Sequence, residues 1–530
     1  MIKNIKKIVV LGGGSAGWMS AAMLIKTFPN LQIHVIESPK IPTIGVGEST
    51  LGGIKHFCHY LDIDEKEFMA DTDASYKLSI KFTDFYDKDS GSFHYPFGKP
   101  FTEGCDRGVR DWLWKKALEP NTPVEEYVRS YFPAAALFDT NKFTLNQNGK
   151  FDNFDPRMDA AYHFDAVKFG LWLRDKYCIP RGVVHLPATV ENITTTDNGI
   201  NSLILDSGES VSADLFVDCT GFRSLLLGDT LQVPFKSYSD MLPNNQAWAC
   251  QVPYIDKEKE IEVFTNCTAI ENGWCWNTPL WSRLGTGYVF SDKYVSSEDA
   301  LVEFKNYLMS DKMVIPRTPE QVNQLTFRQV PFKVGIHEKT FVKNVVAIGL
   351  SAGFIEPLES NGLFSVHEFL FKLMKTLLRG SITQWDRDAY NTAVAGMYQN
   401  FVEFVALHYA LSIRNDTPYW EENTNRVYDP GLDQLTPTMN IGFHNLVDKK
   451  MFNPIPREQD GITWVSAGMN YFILDRIHAQ LGGIQDNIEY KKYWAPFFAK
   501  MEQRKYRWKL AADRELSLYE FLKRNIYYDK

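Results

Sequence analysis

Residues 6–37 read KKIVVLGGGSAGWMSAAMLIKTFPNLQIHVIE, and this stretch decides the fold. Residues 6–11 predict a buried strand, and a glycine turn then leads into a helix running to about Phe28. A second strand, Gln32–Ile36, ends at Glu37. The pattern is G-x-G-x-x-G inside a strand–helix–strand unit, with an acid about 20 residues past the last glycine. Gly12 permits the tight turn, Gly14 lets backbone approach a pyrophosphate, and Gly17 lets helix pack on strand. The helix start offers free N–H groups and the positive dipole end to that anion. Glu37 can accept hydrogen bonds from ribose hydroxyls. An ordinary tight turn is the plain alternative. The strand before, the helix after and the placing of the acid favour dinucleotide binding, with Gly12, Gly14, Ser15, Ala16, Gly17 and Glu37 as cofactor contacts.

Two later segments bear on which dinucleotide. ADLFVDCTGFRS (213–224) is a buried strand entering a glycine turn. KNVVAIGLSAGFIEPLESNG (343–362) is another strand and glycine-rich turn, followed by a helix from Leu363 to about Leu378. This arrangement resembles FAD-dependent monooxygenases, in which the isoalloxazine is reached from late in the chain, so FAD is favoured over NAD. The expected fold class is α/β: a Rossmann-type FAD-binding, flavoprotein monooxygenase-like fold. Residues 1–390 would form the FAD-binding module with inserted substrate-facing strands. Residues 391–530 would form a mostly helical module covering the substrate, interleaved with the first. Residues 83–110 read as a long loop.

Bulk composition excludes several classes. With 44% hydrophobic and 23% charged residues in 530, the chain is ordinary globular protein. A net charge of −8 argues against a nucleic-acid surface. No Lys/Arg-rich amphipathic stretch suggests membrane binding. The aromatic fraction of 14% suits an aromatic-lined pocket and a large core alike. Seven scattered cysteines without a C-x-x-C pair read as buried thiols in a reducing, cytoplasmic setting. Eleven histidines show no metal-ligand spacing. Three glycines split the N-terminal apolar run, which argues against a secretory signal, and nowhere do about 18 apolar residues run uninterrupted.

Three motifs carry candidate chemistry. ASYKLSIKF (74–82) alternates, placing Tyr76, Leu78, Ile80 and Phe82 on one strand face and Ser75, Lys77, Ser79 and Lys81 on the other. The bland reading is a half-exposed strand with solvated lysines. EPLESNG (356–362) sets Glu356, Glu359 and Ser360 ahead of a helix, where the bland reading makes Ser360 its cap. GWCWNTP (273–279) puts Trp274 and Trp276 on one strand face, and core packing is its bland reading.

GGGSAGW, GVGEST (45–50), SYK, YHFDA (162–166), DCTGFR, W-x-W-x-x-P, EPLES-x-G and NDTPYW (415–420) occur in this order. Together they resemble the flavin-dependent tryptophan halogenase family, from the N-terminus to about Trp420 and again at LSLYEFL (516–522). The resemblance implies that reduced flavin, O2 and a halide make hypohalous acid. It places the halide on backbone N–H groups at Asn361 and Gly362, where Asn361 departs from the usual Thr. The oxidant would pass to Lys77, either hydrogen-bonded by the ammonium or carried as a haloamine. Glu359 would stabilise the ring cation and take its proton, Trp274 and Trp276 would wall the flavin from substrate, and Lys81 is the fallback for Lys77. Further cofactor contacts are implied at Glu48, Ser49, Val190, Leu350 and Leu363, and substrate contacts at Phe97, Ser360 and Trp464. Thr278 stands where Ile is common.

Relatives acting on free tryptophan hold its polar end with a late Tyr pair and a Glu. Residues 453–464 keep Trp464 but offer Gln459 and no such pair, and His94 and Tyr95 stand exchanged beside Phe97. An indole or phenol without the zwitterion, or a larger molecule, is therefore expected. Only one nucleotide-binding unit is visible, so a separate NAD(P)H-dependent flavin reductase must supply reduced FAD. The reading leaves room for a homo-oligomer. An FAD-dependent aromatic hydroxylase and a non-halogenating flavin-binding protein are the rivals, and neither needs Lys77.

Overall fold

The structure, a computed structural model, describes residues 2–41, 47–101, 112, 115–116, 118–146, 149–426, 468–469 and 487–528. Its first sheet grows from the glycine motif. Lys7–Leu11 runs parallel to Gln32–Glu37 on one side and to Leu215–Asp218 on the other. The full order is Val184–Pro187, Gln32–Glu37, Lys7–Leu11, Leu215–Asp218, Val345–Ala347 and Phe341–Val342, with only the last pair antiparallel. Ile8, Val9 and Val10 are fully buried, as a parallel strand covered on both faces requires. Strand order reverses at Lys7–Leu11, and in open α/β sheets ligands bind beyond the carboxyl ends of strands at such a point.

The Ser15–Thr27 helix packs on this sheet through Trp18, Met19, Ala22 and Met23. A Cβ at Gly17 would lie 1.8 Å from Gly12 O, so only glycine allows helix and turn to approach this closely. Gly12, at φ +110°, would clash with Cys219 O from the neighbouring strand end. The motif thus interlocks two parallel strands.

A second, seven-stranded sheet carries the inserted segments in the order Arg328–Pro331, Gln246–Val252, Leu284–Phe290, Gly273–Pro279, Phe264–Ile270, Ser79–Thr83 and Ser92–Pro96. Two expectations change here. Ser92–Pro96 pairs antiparallel with Ser79–Thr83, so part of 83–110 is a hairpin strand instead of loop. The alternating segment 74–82 is broken at Leu78, whose N–H donates to Val263 O. Ser75–Lys77 pairs instead with Ala161–Phe164, which also pairs with Glu48–Ser49. Lys77 is fully buried, so the reading as a solvated strand face fails.

The Gln384–Ala410 helix runs through the expected boundary at residue 390, beginning where Thr383 caps it. The chain end returns to the first half. Tyr527 OH donates to Met69 O and Ala74 O, Trp281 stacks on Tyr527 with centroids 4.2 Å apart, and Phe521 packs edge-on against Tyr76. The tail therefore buttresses the strand that carries Lys77. Among the described residues, no helix is long and apolar enough to cross a membrane, and no His/Cys/Asp/Glu group could hold a metal ion. Six cysteines among the described residues are buried and free.

Candidate active site

A cavity of about 540 Å³ opens at the carboxyl ends of the parallel strands. Gly12, Gly13, Gly14, Ser15 and Ala16 line one end, with Glu37 beside them. No side chain caps the helix at Gly14, which leaves its first amides free for an anion. Ser15 Oγ donates instead to Ala166 O. A Cβ at Gly13 would strike the Glu37 carboxyl group, so glycine is what keeps that acid at the cavity edge, 3.0 Å from His185 Nε2. Gly17 stands off the cavity wall and serves packing alone. The walls further on are apolar and aromatic, including Trp274, Trp276, Phe332 and Phe354, with Val190, Leu350 and Leu363 also lining the space. A polar, anion-accepting end joined to an apolar body fits a flavin dinucleotide.

Glu48, Ser49, Ser360, Asn361 and Gly362 close the far end. Burial, with Asp165 adding to it, pushes the Glu48 carboxyl up to about 7. Asn361 and Gly362 start the Gly362–Leu377 helix, and no side chain caps it. Ser360 is not that cap. Its backbone is left-handed, at φ 56°, and its hydroxyl turns to Lys77.

Lys77 sits just behind this wall. Its Nζ donates to Ser49 Oγ at 2.8 Å, Thr50 O at 3.0 Å and Ser360 Oγ at 2.8 Å. It also lies 5.1 Å from the Phe97 ring centroid. Burial pulls the ammonium down to about 7, with the Cys267 thiol and the Glu359 carboxyl acting in the opposite sense. The break at Leu78 separates Lys77 from Lys81, which lies over Phe264 with His94 and Asn266 as cross-strand neighbours. Lys81 is not brought to this site.

Glu359, 1% exposed, precedes Ser360 and lies near enough for its charge to act on Lys77. Neither of its oxygens has an aligned hydrogen-bond donor, and its close contact is His408 Nε2 at 2.8 Å. Aromatic rings surround the pair: Phe82 and Phe404 against His408, Phe93 on Phe82, and Tyr95 between Phe97 and Phe404. His408 came from a helix with no local motif, and only its spacing on the buried face of Gln384–Ala410 could have flagged it.

Trp274 and Trp276 share a strand face, with centroids 6.2 Å apart. Gly287 lies opposite Trp276, and a Cβ there would meet the indole at 2.1 Å, so glycine makes room for the ring. Trp274 Nε1 donates to Glu356 Oε2 at 3.1 Å, and Asn244 and Tyr409 donate to the same carboxyl group. Glu356 thus orients the tryptophan, a role that EPLES did not disclose. Trp464 and Gln459 lie outside the described residues.

A cavity with a glycine-turn end and an apolar body, backed by a buried lysine and carboxyl group among aromatic rings, fits a flavoenzyme. The comparisons give the family. Residues 7–454 match the model for tryptophan halogenase. Tryptophan 6-halogenase SttH of Streptomyces toxytricini is 36% identical over 458 residues, 81% of this chain and 83% of that protein. Tryptophan 7-halogenase RebH of Lentzea aerocolonigenes is 33% identical over 450 residues, 82% of each. The solved apo structure of VirX1 covers all of both chains with a TM-score of 0.88 and 34% identity. The chain belongs to the tryptophan halogenase family and is a flavin-dependent halogenating enzyme that acts on an aromatic substrate.

Proposed function

We propose that Lys77 and Glu359 carry halogen transfer to an electron-rich ring of indole or phenol type held in the aromatic pocket. The observation that carries this reading is the wall. Ser49, Ser360 and Trp274 line the cofactor cavity, whereas Lys77 and Glu359 lie behind them and are absent from its lining. FAD, once reduced by a separate NAD(P)H-dependent reductase, would react with O2 to supply the two-electron oxidation of halide to hypohalous acid. Gly12, Gly14, Ser15 and Ala16 would receive its pyrophosphate, with Glu37 on ribose. Glu48, Ser49, Val190, Leu350 and Leu363 would line its remaining length, and the first amides at Asn361 and Gly362 would hold the halide.

Three acceptors around Nζ match the three protons of an ammonium, so one of them must release its hydrogen before Lys77 can donate to hypohalous acid, and we favour that donor role over a haloamine. Glu359 faces where the ring would sit, and a carboxylate there stabilises the cation formed on attack and accepts its proton. The surrounding rings Phe82, Phe93, Tyr95, Phe97 and Phe404 suit a flat apolar substrate. The absence of a late Tyr pair disfavours a free amino-acid zwitterion, whose charges would go unpaired. Buried free thiols support a cytoplasmic setting.

The test supplies the protein with FAD, a flavin reductase, NADH, O2 and either chloride or bromide. Indole, a phenol and free tryptophan are offered in parallel, with products read by mass spectrometry. We expect halide-dependent aryl halide from indole or phenol in preference to free tryptophan. Hydroxylated product without aryl halide would overturn the reading, and rapid NADH oxidation without the reductase would remove its partner.

A further inference from the structure

A chain of buried hydrogen bonds leads away from Lys77 to His163 in the YHFDA segment. Ser75 Oγ donates to Pro279 O at 2.6 Å, and a carbonyl only accepts. The single Ser75 hydrogen is thereby used, so at 3.1 Å its oxygen must accept from His163 Nδ1–H. Burial, with the Lys77 charge adding to it, holds His163 far below its ordinary range, so the ring is neutral and Nε2 bare. Nε2 then accepts from Thr265 Oγ1, 2.9 Å away. Thr265 Oγ1 in turn accepts from Ser49 Oγ at 2.5 Å, and Ser49 accepts from Lys77 Nζ.

Resting on the reading of Lys77 as the halogen-transferring group, we propose that His163 is a positioning residue. Through Thr265 and Ser49 it fixes the direction of the hydrogen bonds around Lys77, leaving Ser360 as the hydroxyl there that can reverse. When Nζ gives up a proton, one of its three acceptors must become a donor. Thr50 O cannot. The Ser49 hydrogen is held by Thr265. Ser360 Oγ, 3.0 Å from Ser49 Oγ and 2.8 Å from Nζ, can swing its hydrogen between them. Breaking the chain releases the Ser49 hydrogen: beside the ammonium the two hydroxyls can then satisfy only one of their two hydrogens between them, whereas the single lone pair of the free amine accepts the other and is favoured. The titratable groups facing Lys77 are Glu359, Cys267 and His163 itself, and neither substitution below touches the first two.

Thr265→Val removes the hydroxyl with little change of shape, and Thr265→Ser restores it. His163→Leu and His163→Gln form a second pair, the amide oxygen of Gln being able to accept from Thr265. The FAD-loaded protein is labelled with 15N-lysine, and the Lys77 Nζ resonance, assigned by its loss in Lys77→Met, is titrated by NMR. Circular dichroism and retained FAD establish folding. We expect the Lys77 midpoint to fall by about one pH unit in Thr265→Val and His163→Leu, the scale of one hydrogen bond, and to return in Thr265→Ser. The pH–rate profile for indole bromination should move with it. An unchanged midpoint in folded Thr265→Val, or a shift that Thr265→Ser does not reverse, would overturn the proposal. The titration needs no substrate, so its outcome is separate from whether indole is halogenated.

Discussion

Glu359 Oε1 lies 2.8 Å from His408 Nε2, and both side chains are sealed from solvent. His408 Nδ1 faces Phe404 O at 3.1 Å and so carries a hydrogen. The carboxyl group proposed to take the ring proton thus has an imidazole as its close neighbour. We expect Glu359→Gln to lower turnover by about 10²-fold or more, the scale for a positioned acid–base group, while FAD still binds. His408→Phe should cost less. Rates of aryl halide formation by chromatography decide it, and wild-type turnover in Glu359→Gln would remove that residue from proton transfer.

The two lysines of the SYK strand region separate cleanly. Lys77→Ala should abolish aryl halide formation yet leave FAD binding and O2 consumption by supplied reduced flavin intact. Lys81→Ala should halogenate, because Lys81 packs over Phe264 and away from Ser360. A dead Lys81→Ala beside an active Lys77→Ala would reverse the assignment.

Much of this was legible because the deciding features are local. The glycine turn, the acid ending the second strand and the paired tryptophans all follow from spacing of two, three or twenty residues along one chain segment. The break at Leu78 was hidden, since alternation in 74–82 continues through it while the strand changes sheet. Tertiary pairing, with Ala161–Phe164 competing for Ser75–Lys77, overrides the local pattern. His408, Thr265 and His163 were equally unreadable, because each meets the site across more than fifty residues or from an unremarkable stretch. Ser360 looked like a cap, but its left-handed backbone sends the hydroxyl to Lys77 instead.

Glu356 should prove a support for the barrier. Burial pushes its carboxyl up, and hydrogen bonds from Asn244, Trp274 and Tyr409 oppose that rise. Glu356→Leu strands three buried donors, each costing about 1–3 kcal/mol. We expect a clear fall in thermal midpoint by calorimetry and, in protein that folds, a loosened Trp274. Hydrogen peroxide released per aryl halide formed should then rise. Unchanged coupling in a folded variant would show that Trp274 is held by packing alone.

The buried charge of Lys77 should appear in stability against pH. Unfolded, the ammonium titrates near its ordinary 10.5, and folded near about 7. Below the folded value both states hold the proton, and the fold bears the full cost of burying it. Between the two values only the unfolded chain holds it, so stability rises with pH across that window. Above the unfolded value the cost is gone. Lys77→Met should therefore gain most relative to wild type at about pH 6, by on the order of 5 kcal/mol before the loss of three hydrogen bonds is subtracted, and the gain should shrink steadily toward pH 10. The slope of that difference in denaturant unfolding is the test, and a flat difference would mean that Lys77 titrates normally. Turnover in the wild type follows the same group. With the ammonium as donor, the halogenation rate should fall as pH rises through about 7. A rate that climbs through the same pH would assign the chemistry to the free amine.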